Sequence, residues 1–235
     1  MKARRASHPR VYFSFRSPYS WLAFHDLMTH HPELAVRLDW RPFWEPDAHS
    51  ERLLRDAGGE FIYTAMSREK HLYLLRDVRR LAAQRGLEVK WPIDREPWWE
   101  ASHLAYFVAA AAGLALPFIA AVYRARWQQG RDISTRATIA EIANELGLPS
   151  TLANAADDEK CRQLAAQTLL AIYNDGVFGV PFFIHGSEKF WGVDRLNLFV
   201  EALTHEPSQT VTLSEIVAPF AHIPSSDVGH AGGCG

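Results

Sequence analysis

Apolar residues in this chain switch between strand spacing and helix spacing, and the switches divide it into parts. Residues 11–15 are short, β-prone and aromatic, which predicts a strand. Pro18 then sits where a missing N–H costs nothing, so a helix is predicted over residues 18–31, with Pro32 stopping it. Trp21, Phe24, His25 and Met28 recur at helical spacing on its apolar face. Residues 35–41 alternate, with Val36, Leu38 and Trp40 on one side, and predict a second strand.

From about residue 48 to 152 the period is helical. Leu74, Val78, Leu81 and Ala82 form one stripe, and Ile139, Ile142, Ala143 and Leu146 form another. Gly86, Gly113, Gly130 and Gly147 fall where helices would end. Residues 157–173 repeat Cys161, Leu164, Ala165, Thr168, Leu169 and Ile172 at helical intervals, and Asn174-Asp175-Gly176 closes that helix. Strands are predicted over 181–185 and 189–191, joined by a Gly186-Ser187 turn, before a last helix over 195–203. With the helical block set aside, β-α-β and α-β-β-α remain. The expected division is a discontinuous domain of residues 10–45 and 155–206, a helical insertion of residues 46–154, and an extension of residues 207–235 whose Gly-rich end is expected to be partly disordered.

Composition narrows the function classes. Hydrophobic residues make up 48% of 235 residues, so core size is not limiting. The net charge of −2 gives no basic surplus for nucleic acid. Residues 104–123 are apolar but contain Gly113 and Pro117, which predicts two buried helices rather than a membrane span. The basic residues 1–10 lead into no apolar stretch of leader length, so a cytoplasmic protein is expected. Cys161 and Cys234 are far apart and in no C-x-x-C. None of the eleven histidines shows metal spacing, and no metal is expected. P-loop, dinucleotide and G-x-S-x-G motifs are absent.

Two segments carry the candidate chemistry. Ser17 stands at a predicted helix start, where unpaired N–H groups and the helix dipole favour negative charge. A hydroxyl there either caps its own helix or helps to ionise a thiol brought by another molecule, whose unperturbed pKa is about 8.5. Val180-Pro181 is either an ordinary strand start or, if cis, a bend whose backbone pairs with a peptide-like ligand. Asp194 either caps the last helix or holds a ligand ammonium. Lys70 is either a solvated lysine or an anion contact in the first turn of its helix. The eight tryptophans, Trp44, Trp98 and Trp99 among them, are either core or the walls of a pocket for an aromatic molecule.

Taken in order, these runs resemble one family. Residues 13–22, Phe-Ser-Phe-Arg-Ser-Pro-Tyr-Ser-Trp-Leu, are similar to the opening motif of the 2-hydroxychromene-2-carboxylate isomerase family, related to kappa-class glutathione transferases within the DsbA-like thioredoxin superfamily. Tyr73 with Asp77 and Arg80, residues 125–127 with 130–133, and residues 176–181 leading to Phe190-Trp191-Gly192 and Asp194-Arg195-Leu196 extend the resemblance across residues 11–203. It implies an α/β thioredoxin-like fold with a large all-helical insertion. It implies a glutathione-dependent isomerase, with a kappa-like transferase or a non-catalytic binder as alternatives.

By the same resemblance Ser17 contacts the glutathione sulfur, and Val180, before a cis Pro181, clamps its cysteinyl unit. Val193 and Asp194 lie at the γ-glutamyl end, and Lys70 lies near the tripeptide. Arg16, Trp44, Tyr73, Trp98 and Trp99 are expected on the substrate side, facing a small, aromatic or unsaturated molecule. A homodimer is implied. Val193 departs from the Gln or Ser common in relatives, and residues 94–100 depart from the Asn-bearing pattern of the typical isomerase.

Overall fold

Four short strands form one mixed sheet in the order β2-β1-β3-β4. The computed structural model describes residues 8–62 and 66–204. β1 (Arg10–Phe13) is central, parallel to β2 (Asp39–Pro42) and antiparallel to β3 (Phe182–His185). β3 turns back into β4 (Glu188–Trp191), with Phe183 opposite Phe190. Val11, Tyr12 and Phe13 are all buried, as a central strand covered on both faces requires.

The strand predicted over 11–15 ends earlier, at Phe13, because the chain leaves the sheet to build the loop that carries Ser17. α1 (Pro18–His30) follows as predicted. The second strand does not begin at residue 35. Pro32 opens a short helix, α2 (Pro32–Arg37), after a break at His31, and pairing starts only at Asp39. The alternation misleads because Val36 faces solvent at 72% exposure, while Leu38 and Trp40 are buried.

The helical block contains α3 (Ala48–Asp56), α4 (Arg68–Gln84), α5 (Glu100–Ala111), α6 (Ala115–Tyr123) and α7 (Arg136–Glu145). One turn of π-helix (Arg124–Gln128) continues α6, and a 3₁₀ stretch (Ser150–Asp157) leads back to the sheet. The four predicted helix-end glycines all take positive φ. α8 (Glu159–Asp175) ends at Gly176 in the left-handed conformation, which glycine adopts without a Cβ clash. Its buried face is shifted from the predicted stripe: Arg162 is inside, and Leu164 is exposed. A 3₁₀ turn (Val193–Arg195) and α9 (Leu196–Thr204) complete the described chain. The expected extension of residues 207–235, including Cys234, lies outside the described residues.

One apolar core joins the sheet to the helical block. Phe13 meets Trp40 and Tyr106 edge-on, and Phe15 meets Tyr123 in the same way. Two buried hydroxyls from the block fasten the strand ends: Tyr106 donates to the Trp40 carbonyl at 2.8 Å, and Tyr123 donates to the Ser14 carbonyl at 3.1 Å. The insertion therefore grips the loop that follows β1. No described helix is long and apolar enough to cross a membrane.

Candidate functional site

The loop from Ser14 to Ser17 is a closed set of hydrogen bonds. The Ser17 N–H donates to the Ser14 carbonyl at 3.1 Å. The Ser17 hydroxyl oxygen accepts from the Ser20 N–H at 3.2 Å, which is the helix-capping bond. The Ser20 hydroxyl in turn accepts from the Ser14 N–H at 3.3 Å. Ser17 is 7% exposed, and its hydroxyl also reaches the Val180 carbonyl at 3.4 Å. Ser17 therefore caps its helix, as one sequence reading has it, and its hydroxyl also faces the Val180 bend.

His103, on α5, holds this loop from behind. Its Nδ1 lies 2.7 Å from the Trp99 carbonyl, and the Phe15 N–H donates to its Nε2 at 3.3 Å. That pattern requires the proton on Nδ1 and a lone pair on Nε2. Burial pushes its pKa down to about 3, so the ring stays neutral.

The Val180–Pro181 bond is cis, as the resemblance implies. Gly179 precedes it because no larger residue fits: a Cβ there would meet the Trp191 Nε1 at 2.8 Å. Gly192 donates its N–H to the Pro181 carbonyl at 2.9 Å, which ties the bend to the Val193–Arg195 turn. Val193 packs with Tyr19, Leu74 and Val78, so this turn, α1 and α4 meet beside Ser17. Asp194 makes no capping bond. Its carboxylate is 68% exposed and accepts from the neighbouring Arg195 at 2.8 Å. Lys70 lies in the first turn of α4, four residues before Leu74 and so on the face turned to α1.

Two residues expected on the substrate side are elsewhere. Trp44 is core: it is 2% exposed, stacks on His103, and donates its indole N–H to Glu100. Tyr73 is 54% exposed on α4 and donates to Asp77, which also accepts from Tyr19 at 2.9 Å and from Arg80. Of these bonds the one from Tyr19 joins α1 to α4, and none of the four residues lines the recess described next.

Arg16, Trp98 and Trp99 do line a recess of about 370 Å³. Glu45, Asp47, Asp94 and Glu100 supply the rest of its polar wall. Arg16 pairs with Glu45 at 3.1 Å, and its guanidinium lies 5.5 Å from the Trp99 ring centre. Buried Arg126 lies 5.1 Å from the same ring and grips Asp94 with two bonds of 2.9 and 2.8 Å. Glu100 is 1% exposed and accepts from Trp44 and from the Asp47 N–H. Burial raises its pKa. Asp47, although burial opposes it, is held below the usual carboxylate range by its bonds to the Ser50 N–H, Trp98 and Arg162.

The sequence pattern does not single out Asp47, His103 or Arg162, while Arg126 falls in the resembling run 125–127 and Glu100 in the departing run 94–100, neither with an assigned role. The one available signal is that Arg162 and His103 fall among apolar helical positions, where a polar side chain needs a partner.

A model of the DSBA-like thioredoxin domain matches residues 10–204. The chain belongs to the DSBA-like thioredoxin family. Within that family it is 28% identical over 205 residues to 2-hydroxychromene-2-carboxylate isomerase of Sphingobium xenophagum, covering 81% of this chain and 94% of the relative. The solved structure of a 2-hydroxychromene-2-carboxylate isomerase superposes with a TM-score of 0.65 at 22% identity, covering 83% of this chain and 94% of that one. The cytosolic disulfide reductase DsbM of Pseudomonas aeruginosa superposes with a TM-score of 0.53 at 19% identity, covering 83% and 98%. These two likenesses establish the DsbA-like fold. Unlike a dithiol reductase, this chain has serine at both ends of the Ser17–Ser20 motif.

Proposed function

We propose that the protein is a cytoplasmic glutathione-dependent isomerase of an aromatic or unsaturated small molecule, similar in reaction type to the relative from Sphingobium xenophagum and homodimeric like the family it resembles. The observation that carries the reading is the Ser17 hydroxyl, seated at a helix N-terminus 3.4 Å from the carbonyl of a cis-proline bend. The surrounding groups suit a zwitterionic tripeptide: the Val180 backbone for an amide, exposed Asp194 for an ammonium, and Lys70 for a carboxylate.

When bound, glutathione supplies a thiolate that adds reversibly to an unsaturated carbon, so that a bond rotates or a ring opens before the thiol leaves unchanged. Ser17 contributes by turning its hydroxyl from the Val180 carbonyl to the sulfur, donating a hydrogen bond to the anion. The first-turn N–H groups of α1 add the positive end of the helix dipole. Both favour the ionised thiol and lower its pKa. No thiol of the chain lies in this motif, so the cycle involves no disulfide and leaves glutathione in its starting redox state.

The direct test follows thiolate absorbance of glutathione bound to the protein as pH is raised. A midpoint below the free thiol's, about 8.5, is expected, returning toward it in Ser17→Ala. Absence of binding at millimolar glutathione would sink the proposal. Insulin reduction is expected to be negative.

A further inference from the structure

The charge of the recess lined by Arg16, the neighbour of Ser17 in the chain, is at odds with a carboxylate ligand. Its ionisable wall comprises four carboxylates, of Glu45, Asp47, Asp94 and Glu100, and one guanidinium, of Arg16. The other two arginines that balance these acids, Arg126 and Arg162, are buried behind the wall. Glu45 and Asp94 face the space at 48% and 27% exposure beside Arg16 at 42%, each acid with an arginine partner, and Glu100 is buried. Arg16 is already engaged, bonded to Glu45 and set over Trp99. A ligand carboxylate would have to take Arg16 from Glu45 while approaching the remaining acids, and like charges in such a recess repel. A hydroxyl or amino hydrogen would instead add a bond to a carboxylate oxygen that retains accepting capacity. Trp98 and Trp99 supply flat apolar wall.

We propose that this recess takes a flat aromatic molecule that presents hydroxyl or amino hydrogens to its acidic wall and carries no carboxylate. The ligand class therefore differs from the carboxylate in the name of the Sphingobium xenophagum relative. That this ligand is the enzyme's substrate rests on the glutathione reading above; the selectivity of the recess does not.

The test measures binding of a naphthol, its methyl ether and the naphthoate of the same ring position to the full chain, by ligand-observed NMR, with and without glutathione. The naphthol is expected to bind about tenfold more tightly than the naphthoate, the scale of one charge-assisted hydrogen bond. Glu45→Gln, at an exposed position, releases Arg16 and removes one negative charge. It is expected to shrink that gap several-fold. The proposal is overturned if the naphthoate equals or exceeds the naphthol, if none of the three binds, or if Glu45→Gln leaves the ratio unchanged. Calorimetry of glutathione alone separates the two ideas. Selective naphthol binding without glutathione binding defeats the isomerase and keeps the recess, and the reverse result does the opposite.

Discussion

The turns that face Ser17 and the recess lined by its neighbour Arg16 are built differently. The side formed by Val180, Val193 and Asp194 is short turns: backbone groups are fixed by a cis bond and two glycines, and the one carboxylate is exposed. The side formed by the helical block is buried charge: Asp47, Glu100 and Arg162 lie within hydrogen-bond or ion-pair reach of one another, and Arg126 is stacked among tryptophans. Backbone recognition tolerates drift in side chains, whereas a buried ion network is altered by any single change. A change on the first side should therefore act locally, and a change on the second should disturb its neighbours.

Breaking the network should have the largest effect. Arg162→Ala leaves Asp47 and Glu100 without their buried cation and is expected to cost about 3 kcal/mol of stability, read by urea denaturation. Glutathione affinity in the folded fraction should change little. A large change would mean that the two sides are not separable.

Ser17→Ala acts on the other side. It is expected to slow the proposed glutathione-dependent reaction by about one to two orders of magnitude, since one pKa unit of thiolate stabilisation is about 1.4 kcal/mol. Stability should fall by about 1 kcal/mol, because the capping bond is lost too. An unchanged rate would remove Ser17 from the chemistry.

His103 links the sides, and pH exposes it. Its folded pKa of about 3 lies below the unfolded value of about 6.5, so the unfolded chain binds the extra proton as pH falls. Stability from this group is full above pH about 6.5 and declines toward pH about 3, by at most about 1.4 kcal/mol per pH unit. His103→Gln should flatten that part of the stability–pH curve even where it lowers stability overall. The smallest effect is expected for Asp194→Asn: about threefold weaker glutathione binding by calorimetry, as for an exposed ion pair.

Legibility in the sequence follows the same division. The cis Val180-Pro181 bond was legible through the family resemblance, whereas the Ser17 cap and Pro18 depend on residues near them in the chain, so local motifs reveal them. The glycine-marked helix ends were readable for the same reason. The recess was not, because Asp47 meets Glu100 53 residues away and Arg162 115 residues away. Trp44 and Trp99 are the same residue type, yet one is core and the other wall, and only packing tells them apart. Residues 35–37 read as strand because Val36, Leu38 and Trp40 alternate, while Pro32 both follows the end of the first helix and opens the next.

The inward hydroxyl of Ser20 limits what a pair of cysteines could do in this scaffold. It is 1% exposed and props up the Ser14 amide beneath the first helix. Cysteines placed at 17 and 20 would recreate a dithiol spacing and remove that strut, loosening the turn on which the outer sulfur depends. Dithiol chemistry at these positions would therefore need a repacked turn as well as two sulfurs.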